Sequence, residues 1–333
     1  MNLTDLHAAA AIVHAVMPPT PQYRWPLLEA ALGVGARASE AIEVWLKHEN
    51  HGPVGAFKLR GGLVFFERLL QRGPRPPGVV SATRGNHGQS VAFSARRHGL
   101  PALIVVPHRN SLEKNAAMRA LGAELIEHGG DFQAAREHAQ ALAAQRGWLM
   151  VPSFHADLVA GVASYALELF AAAPNLDVVY VPIGLGTGVC GVMAARDALG
   201  LSTEVIGVTS TGAPGYALSW AAGECISHAV TTVLADGLAV RTPEPEALAL
   251  MRPSRLADGA QRRGLAGIVS VSDDEVAAAM RLLYETTHQV AEGAGAAALA
   301  AAWQQRYRLH GRRVGLILSG GNVDRATYAR VLA

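Results

Sequence analysis

The feature that most constrains this chain is an alternation of periods. Short apolar runs stand at 41–47, 78–83, 102–107, 123–128, 148–151, 177–183, 204–209, 266–271 and 313–318. Between them lie stretches of helical period near 57–72, 86–98, 111–121, 131–146, 160–173, 189–199, 273–288, 292–307 and 322–331. A further helix is expected over 3–17, stopped by Pro18, Pro19 and Pro21. Strands separated by helix-length connections cannot pair as hairpins; they cross over and lie parallel. Parallel strands are covered on both faces and read as continuous apolar runs, as these do. The expectation is an α/β protein with largely parallel, buried sheets. At 333 residues, half of them hydrophobic, the chain is long enough for two lobes. Ser272-Asp273-Asp274-Glu275 has capping-box spacing and is expected to start a helix. The region 211–263, with Pro214, Pro243, Pro245 and Pro253, is the least regular and is read as a lid or partner surface. The rhythm breaks at Pro152 to Asp157, which marks a boundary.

Charge and cysteine content exclude several classes. The formal net charge is +2 with no long basic run, so neither nucleic acid nor a membrane surface is an expected partner. Two cysteines, Cys190 and Cys225, make no disulfide framework and point to a reducing cytoplasm. Met1 to Ala15 is apolar but carries Asp5, His7 and His14 and lacks a basic leader, so it reads as a helix and not a signal peptide. No apolar run is long enough to span a bilayer. Thirteen histidines are scattered without metal-ligand spacing, and only His87 lies in a motif. No metal site is expected.

Four motifs can carry chemistry. Lys58 sits in Gly55-Ala56-Phe57-Lys58-Leu59-Arg60-Gly61, between a strand and the helix that the motif opens. The positive end of the helix dipole disfavours a second positive charge there, so Lys58 is a candidate nucleophilic amine. It is one of three lysines, with Lys47 and Lys114, among 29 basic residues; an exposed first-turn lysine is the plainer alternative. Ser81 to Gln89 places glycines and polar side chains at a strand-to-helix turn, which suits an anion such as a carboxylate; here Asn86 could equally be a helix cap. Gly184-Leu185-Gly186-Thr187-Gly188-Val189-Cys190-Gly191 follows a buried strand and lets the backbone close round a phosphate. It also fits G-x-G-x-x-G, but the next strand ends in Ser210 and Thr211, without the acidic residue a dinucleotide wants. Cys190 is read as a packed small residue. Finally, Leu316 to Asn322 ends a strand in Ser319, where open α/β sheets place ligands, with Asn322 as a candidate helix cap. Glu292, among small residues, is read as a cap or a site residue.

In this order the motifs resemble those of the fold-type II pyridoxal-phosphate (PLP) enzymes, most closely the threonine/serine dehydratase (threonine ammonia-lyase) family, which includes serine racemase and hydroxyaspartate dehydratases. The resemblance covers about residues 20–330. It implies a two-lobed fold, with 1–77 and 156–333 forming a large PLP-binding domain and 78–155 a small mobile one. It implies that Lys58 carries the cofactor, that Phe57 packs near its ring, and that Asn86 bonds its ring hydroxyl. Gly184, Leu185, Gly186, Thr187 and Gly188 would wrap the phosphate, and Ser319 would face the pyridine nitrogen. Thr83, Arg84, Gly85, Asn86 and His87 would hold the substrate carboxylate, with Glu292 near the site. The implied reaction is dehydration and deamination of a β-hydroxy amino acid, L-threonine or L-serine first, by a cytoplasmic homodimer without a C-terminal regulatory domain.

The chain departs from that pattern at three places. Arg84 stands where serine racemases have a second base, and an arginine does not readily deprotonate, so racemisation is demoted. Arg84 either reaches a polar or carboxylate group on the substrate, as β-hydroxyaspartate offers, or points outward. Ser210 to Gly215 replaces the carboxylates of the family's cation-binding members. Gly161-Val162-Ala163-Ser164 replaces a more polar segment, which bears on the substrate pocket. Phenylserine dehydratase and a nicotinamide-dependent oxidoreductase built on 184–191 are the further alternatives.

Overall fold

The computed structural model describes residues 1–35, 37, 40–255 and 261–333. Its strands are β1 (Gln22–Arg24), β2 (Glu43–His48), β3 (Val79–Ala82), β4 (Ala102–Val106), β5 (Glu124–Glu127), β6 (Leu149–Met150), β7 (Val178–Pro182), β8 (Glu204–Ser210), β9 (Ser254–Arg255), β10 (Gln261–Arg262), β11 (Gly267–Val271) and β12 (Arg313–Leu318). They form a six-stranded sheet of order β1-β2-β12-β7-β8-β11, a four-stranded sheet of order β5-β4-β3-β6, and the short β9–β10 ribbon. Within the two larger sheets every pairing is parallel except β1 with β2. Each expected strand lies within two residues of its expected bounds. The physical reason is visible in β3, β4 and β7, whose residues are all buried: helices cover both faces, so the strands are apolar almost throughout, with Ser81 of β3 the exception.

The helices are α1 (Leu3–His14), α2 (Pro26–Leu32), α3 (Lys58–Arg72), α4 (Asn86–Arg97), α5 (Leu112–Ala120), α6 (Phe132–Arg146), α7 (Ala156–Ala172), α8 (Thr187–Ala198), α9 (Gly215–Ala222), α10 (Pro245–Met251), α11 (Asp273–Thr287), α12 (Gly293–Gln304) and α13 (Arg325–Leu332). Ser272 caps α11 in the expected capping box with Glu275. Three expectations are corrected. The region 211–263, of which 256–260 lie outside the described residues, is not simply irregular, since it holds α9 and α10. Pro214 and Pro245 stand at the N-cap and first turn, where a missing N–H costs no hydrogen bond. α7 starts at Ala156, four residues early, because the His155 ring accepts from the Asp157 N–H at 3.1 Å. Asn322 does not cap the last helix; Asp324 occupies that position.

α3 and α7 cross closely. A Cβ on Gly161 would lie 2.2 Å from the Arg60 carbonyl, and one on Gly61 would lie 2.8 Å from that of Leu158. Gly161 to Ser164 therefore serves this crossing and does not line the candidate site: Ser164 Oγ donates to Gly161 O and accepts from Arg60 Nη1. Arg60 is fully buried and bonded to both Glu49 and Glu168, and Lys47 Nζ reaches Glu168 at 2.5 Å. This network ties α3, which begins at Lys58, to β2 and α7.

Candidate functional site

The four sequence motifs follow the carboxyl ends of four parallel strands. β2 leads through a short 3-10 turn, Glu49–His51, to Lys58; β3 leads to Thr83; β7 leads to Gly184; β12 leads to Ser319. A parallel sheet sends all its strands toward one edge, and ligands collect there. The residues meet round one cavity of about 130 Å³, which opens into an outer cleft of about 1060 Å³. The cavity wall includes Phe57, Lys58, Thr83 to His87, Gly184 to Gly188, Glu292 and Ser319, so every residue that the resemblance places at the site touches it.

Lys58 is the first residue of α3, and no side chain caps that helix. Its Nζ donates to Thr187 Oγ1 at 2.8 Å and lies 4.9 Å from the centre of the Phe57 ring. Its pKa is lowered to about 8. The cause is burial of the amine, more than the helix dipole invoked above. The side chain faces the cavity, yet dense protein around the amine strips its water.

The glycine loop is built for an anion. Gly186 has φ of +98°, which only glycine adopts without strain, and a Cβ there would also lie 2.6 Å from Ala247 Cβ. α8 begins directly behind it with no side-chain cap, so its first-turn N–H groups point at whatever the loop encloses. Two tyrosines that the sequence did not single out hold the loop. Tyr165 Oη donates to Gly188 O and Tyr216 Oη donates to Leu185 O, each at 3.1 Å. A tyrosine on a distant helix leaves no local pattern that marks it. Cys190 is buried and burial pushes its thiol up to about 12, which suits packing and not nucleophilic attack.

On the facing side, Asn86 is not a cap. It starts α4, Gly85 takes the cap position, and the Asn86 Nδ2 donates to Glu292 Oε1 at 2.6 Å. Thr83 does the local work, accepting from the N–H groups of Gly85 and Gly88 at 2.9 and 3.2 Å. The N–H groups of Asn86 and His87 then face the cavity at a helix N-terminus without a side-chain cap. His87 is buried, its Nε2 has no partner, and burial together with the nearby Lys58 lowers its pKa to about 3, so the ring is neutral. Glu292 is buried beneath Asn86. Its carboxyl is raised by burial, against the opposing pull of Lys114, whose Nζ lies 3.1 Å away. Lys114 was not singled out as a site residue. Burial disfavours its charge, but Glu292 and Asp236 outweigh that and hold the amine above the usual lysine range. Ser319 is buried at the end of β12, and its carbonyl accepts from the Phe57 N–H at 3.1 Å.

The arrangement offers one deprotonatable amine, two uncapped helix N-termini for two anions, and a neutral hydroxyl. A family model described as "Pyridoxal-phosphate dependent enzyme" matches residues 16–320. The chain is 33% identical over 291 residues to an L-threonine ammonia-lyase of Thermotoga maritima, covering 87% of this chain and 70% of that one. It is 30% identical to an L-threo-3-hydroxyaspartate ammonia-lyase of Saccharomyces cerevisiae, covering 87% and 86%. A solved structure of threonine deaminase from T.th. superposes with a TM-score of 0.85 at 30% identity, over 97% of this chain and 99% of that one. Among eight curated relatives that it matches, the chain spans between 48% and 86% of their length.

Proposed function

The chain belongs to the pyridoxal-phosphate dependent enzyme family, and from that premise we propose that it is an ammonia-lyase. It would remove water and then ammonia from a β-hydroxy amino acid, with L-threonine and L-serine as the first substrates. The observation that carries this is Lys58: a buried amine of lowered pKa, 2.8 Å from Thr187 at the head of a helix that presents uncapped N–H groups.

The residues present fit the cofactor. Gly184 to Gly188 and the first turn of α8 would hold its phosphate, which matches the positive end of a helix and a loop that tolerates no Cβ at Gly186. Lys58 would bond its aldehyde carbon, Asn86 would meet its ring hydroxyl, and Ser319 would offer the ring nitrogen a neutral hydroxyl. When bound, the cofactor supplies an electron sink for charge developing at the substrate Cα.

The chain's own groups would do the rest. The uncapped N–H groups of Asn86 and His87 would orient the substrate carboxylate. Lys58, once the substrate amine takes its place, is a free base that accepts the Cα proton. The Cβ–O bond then breaks, the leaving hydroxide takes up one proton, equivalent to the one Lys58 accepted, and departs as water, and the released enamine hydrolyses to a 2-keto acid and ammonia. Neutral His87 adds no competing acid. The lobe spanning 78–155 would close over the substrate and exclude water.

Among the described residues, no helix is long and apolar enough to cross a membrane. A cytoplasmic, catabolic homodimer is part of the same proposal; the two free cysteines support the compartment, and sedimentation of the purified protein tests the dimer. The central test is keto-acid release from L-threonine and L-serine by the PLP-loaded protein, with Lys58→Ala beside it. Turnover lost in that variant supports the assignment; keto-acid release that survives in it defeats the assignment.

A further inference from the structure

Three cationic side chains line the inner cavity, and two of them are already engaged. Lys58 donates to Thr187, and Lys114 is ion-paired with Asp236 at 2.8 Å and with Glu292 at 3.1 Å. The third, Arg84, has an Nε closed off from solvent with no partner, and no ion pair reaches its guanidinium among the described residues. It lines both the inner cavity and the outer cleft, so it stands where the two join. Of the acids that line the cavity and the cleft, Glu244 makes no ion pair among the described residues, with Arg84 or any other cation, and the others are committed elsewhere. Glu292 and Asp236 hold Lys114, Asp131 caps α6 through the Ala134 N–H, and Asp324 accepts from Ser111. A half-buried guanidinium with empty donors is costly until an anion fills them.

That anion need not be the substrate's α-carboxylate. The start of α4 has no side-chain cap, and Thr83 serves only the Gly85 and Gly88 N–H groups, which leaves those of Asn86 and His87 for it. We propose that Arg84 is a second anion subsite, which binds a carboxylate carried on the substrate's Cβ. The substrates would then extend, beside L-threonine and L-serine, to β-hydroxy amino dicarboxylic acids. Arg84 is suited to this by its planar fork of donors, which matches a carboxylate in two parallel bonds. The chemistry is unchanged. The Cα–H and Cβ–O bonds break, the Cα=Cβ bond forms, water leaves, and hydrolysis of the enamine gives a 2-oxo dicarboxylate and ammonia.

The subsite rests on the ammonia-lyase assignment for its turnover but not for its binding, so two measurements separate them. The first is kcat/KM for the 3-hydroxyaspartate isomers and for L-threonine, in wild type, Arg84→Gln and Arg84→Lys. The ratio of dicarboxylate to threonine should fall by about tenfold or more in Arg84→Gln, the loss expected for a charge-assisted pair. Arg84→Lys, which keeps the charge without the fork, should retain part of it. The second is the Kd, read from the cofactor absorption band, of aspartate and of 2-aminobutyrate, which have no hydroxyl to lose. Wild type should favour aspartate, and Arg84→Gln should abolish the preference. An unchanged ratio, or an equal loss on both ligands, overturns the subsite; equal loss would put the α-carboxylate on Arg84. Should no substrate release keto acid, the ammonia-lyase assignment falls, and the two Kd values still decide Arg84.

Discussion

Asn86 Nδ2 donates to Glu292 Oε1 at 2.6 Å, while Asn86 Oδ1 accepts from Asn322 Nδ2 at 2.8 Å. A carboxylate can only accept, so Glu292 dictates which end of the Asn86 amide faces it. The pair joins a helix of the four-stranded layer to the residue preceding α12 of the six-stranded layer. Glu292→Gln removes that dictation, because a glutamine can donate or accept. The Kd for PLP, read from its absorption, should rise by about tenfold. An unchanged Kd would mean that the orientation of Asn86 does not matter to the cofactor.

Lys114 holds the other side of Glu292. Lys114→Met leaves the buried Glu292 and the half-buried Asp236 without their cation; loss of one partner of a buried pair costs about 3–5 kcal/mol. The unfolding midpoint in urea should drop accordingly. Adding Glu292→Gln to Lys114→Met should recover part of the loss, since it removes one of the stranded charges; a strictly additive double variant would show that the two residues are not coupled.

The Lys58 amine sets a pH dependence for cofactor capture. Its folded pKa of about 8 lies below the ordinary 10.5. The cofactor-free fold therefore carries a penalty on the charged amine that is full below pH 8 and is relieved as pH rises from there toward 10.5. Only the neutral amine attacks the cofactor aldehyde. The rate at which the cofactor-free protein takes up PLP should climb with pH to about 8 and then level off. A rate still climbing steeply above about pH 9 would show that the amine is not buried as described.

The network under α3 sets acid stability. Burial raises Glu168, but Arg60 and Lys47 outweigh it and bring its carboxyl down to about 2. A carboxylate depressed in the folded state contributes stability that is present above its ordinary pKa of 4.5 and is lost as pH falls through 2. Unfolding free energy should thus decline between those values, and Glu168→Gln should flatten the decline. At neutral pH the same variant should lose about 3–5 kcal/mol, because Arg60 and Lys47 stay buried with less to pair with.

Gly186→Ala tests the anion loop. It forces a side chain into a left-handed backbone and against Ala247. PLP should bind at least about tenfold more weakly, while a change confined to the loop lowers the stability of the cofactor-free protein by only about 1–2 kcal/mol. Equal affinity in this variant would place the phosphate elsewhere.

Strands and most helices could be read from the chain because their signals are local. A doubly covered strand such as β7 is apolar at every position, and α11 carries its own start signal in Ser272 and Glu275. The glycine loop was readable for the same reason, since a tight turn demands particular residues in one short stretch; Lys58 was readable from its place between a strand and the helix it opens, although burial lowers its pKa more than the helix dipole does. α9 and α10 were missed because their prolines read as loop residues until their places in the first turn are known.

What the amino-acid order determined by itself is therefore the α/β class, the strand bounds and the residues at the strand ends, all of which follow from periodicity and backbone chemistry within a few residues. Which of those residues meet was decided only by the fold. Asn86 and Glu292 are 206 positions apart, Lys58 and Thr187 are 129 apart, and Lys114 and Asp236 are 122 apart. Local sequence carries no record of such pairs, because parallel crossovers bring distant strand ends to one edge. The tyrosines that brace the glycine loop, the charge balance round Lys114 and the unpartnered Arg84 exist only once that edge is assembled.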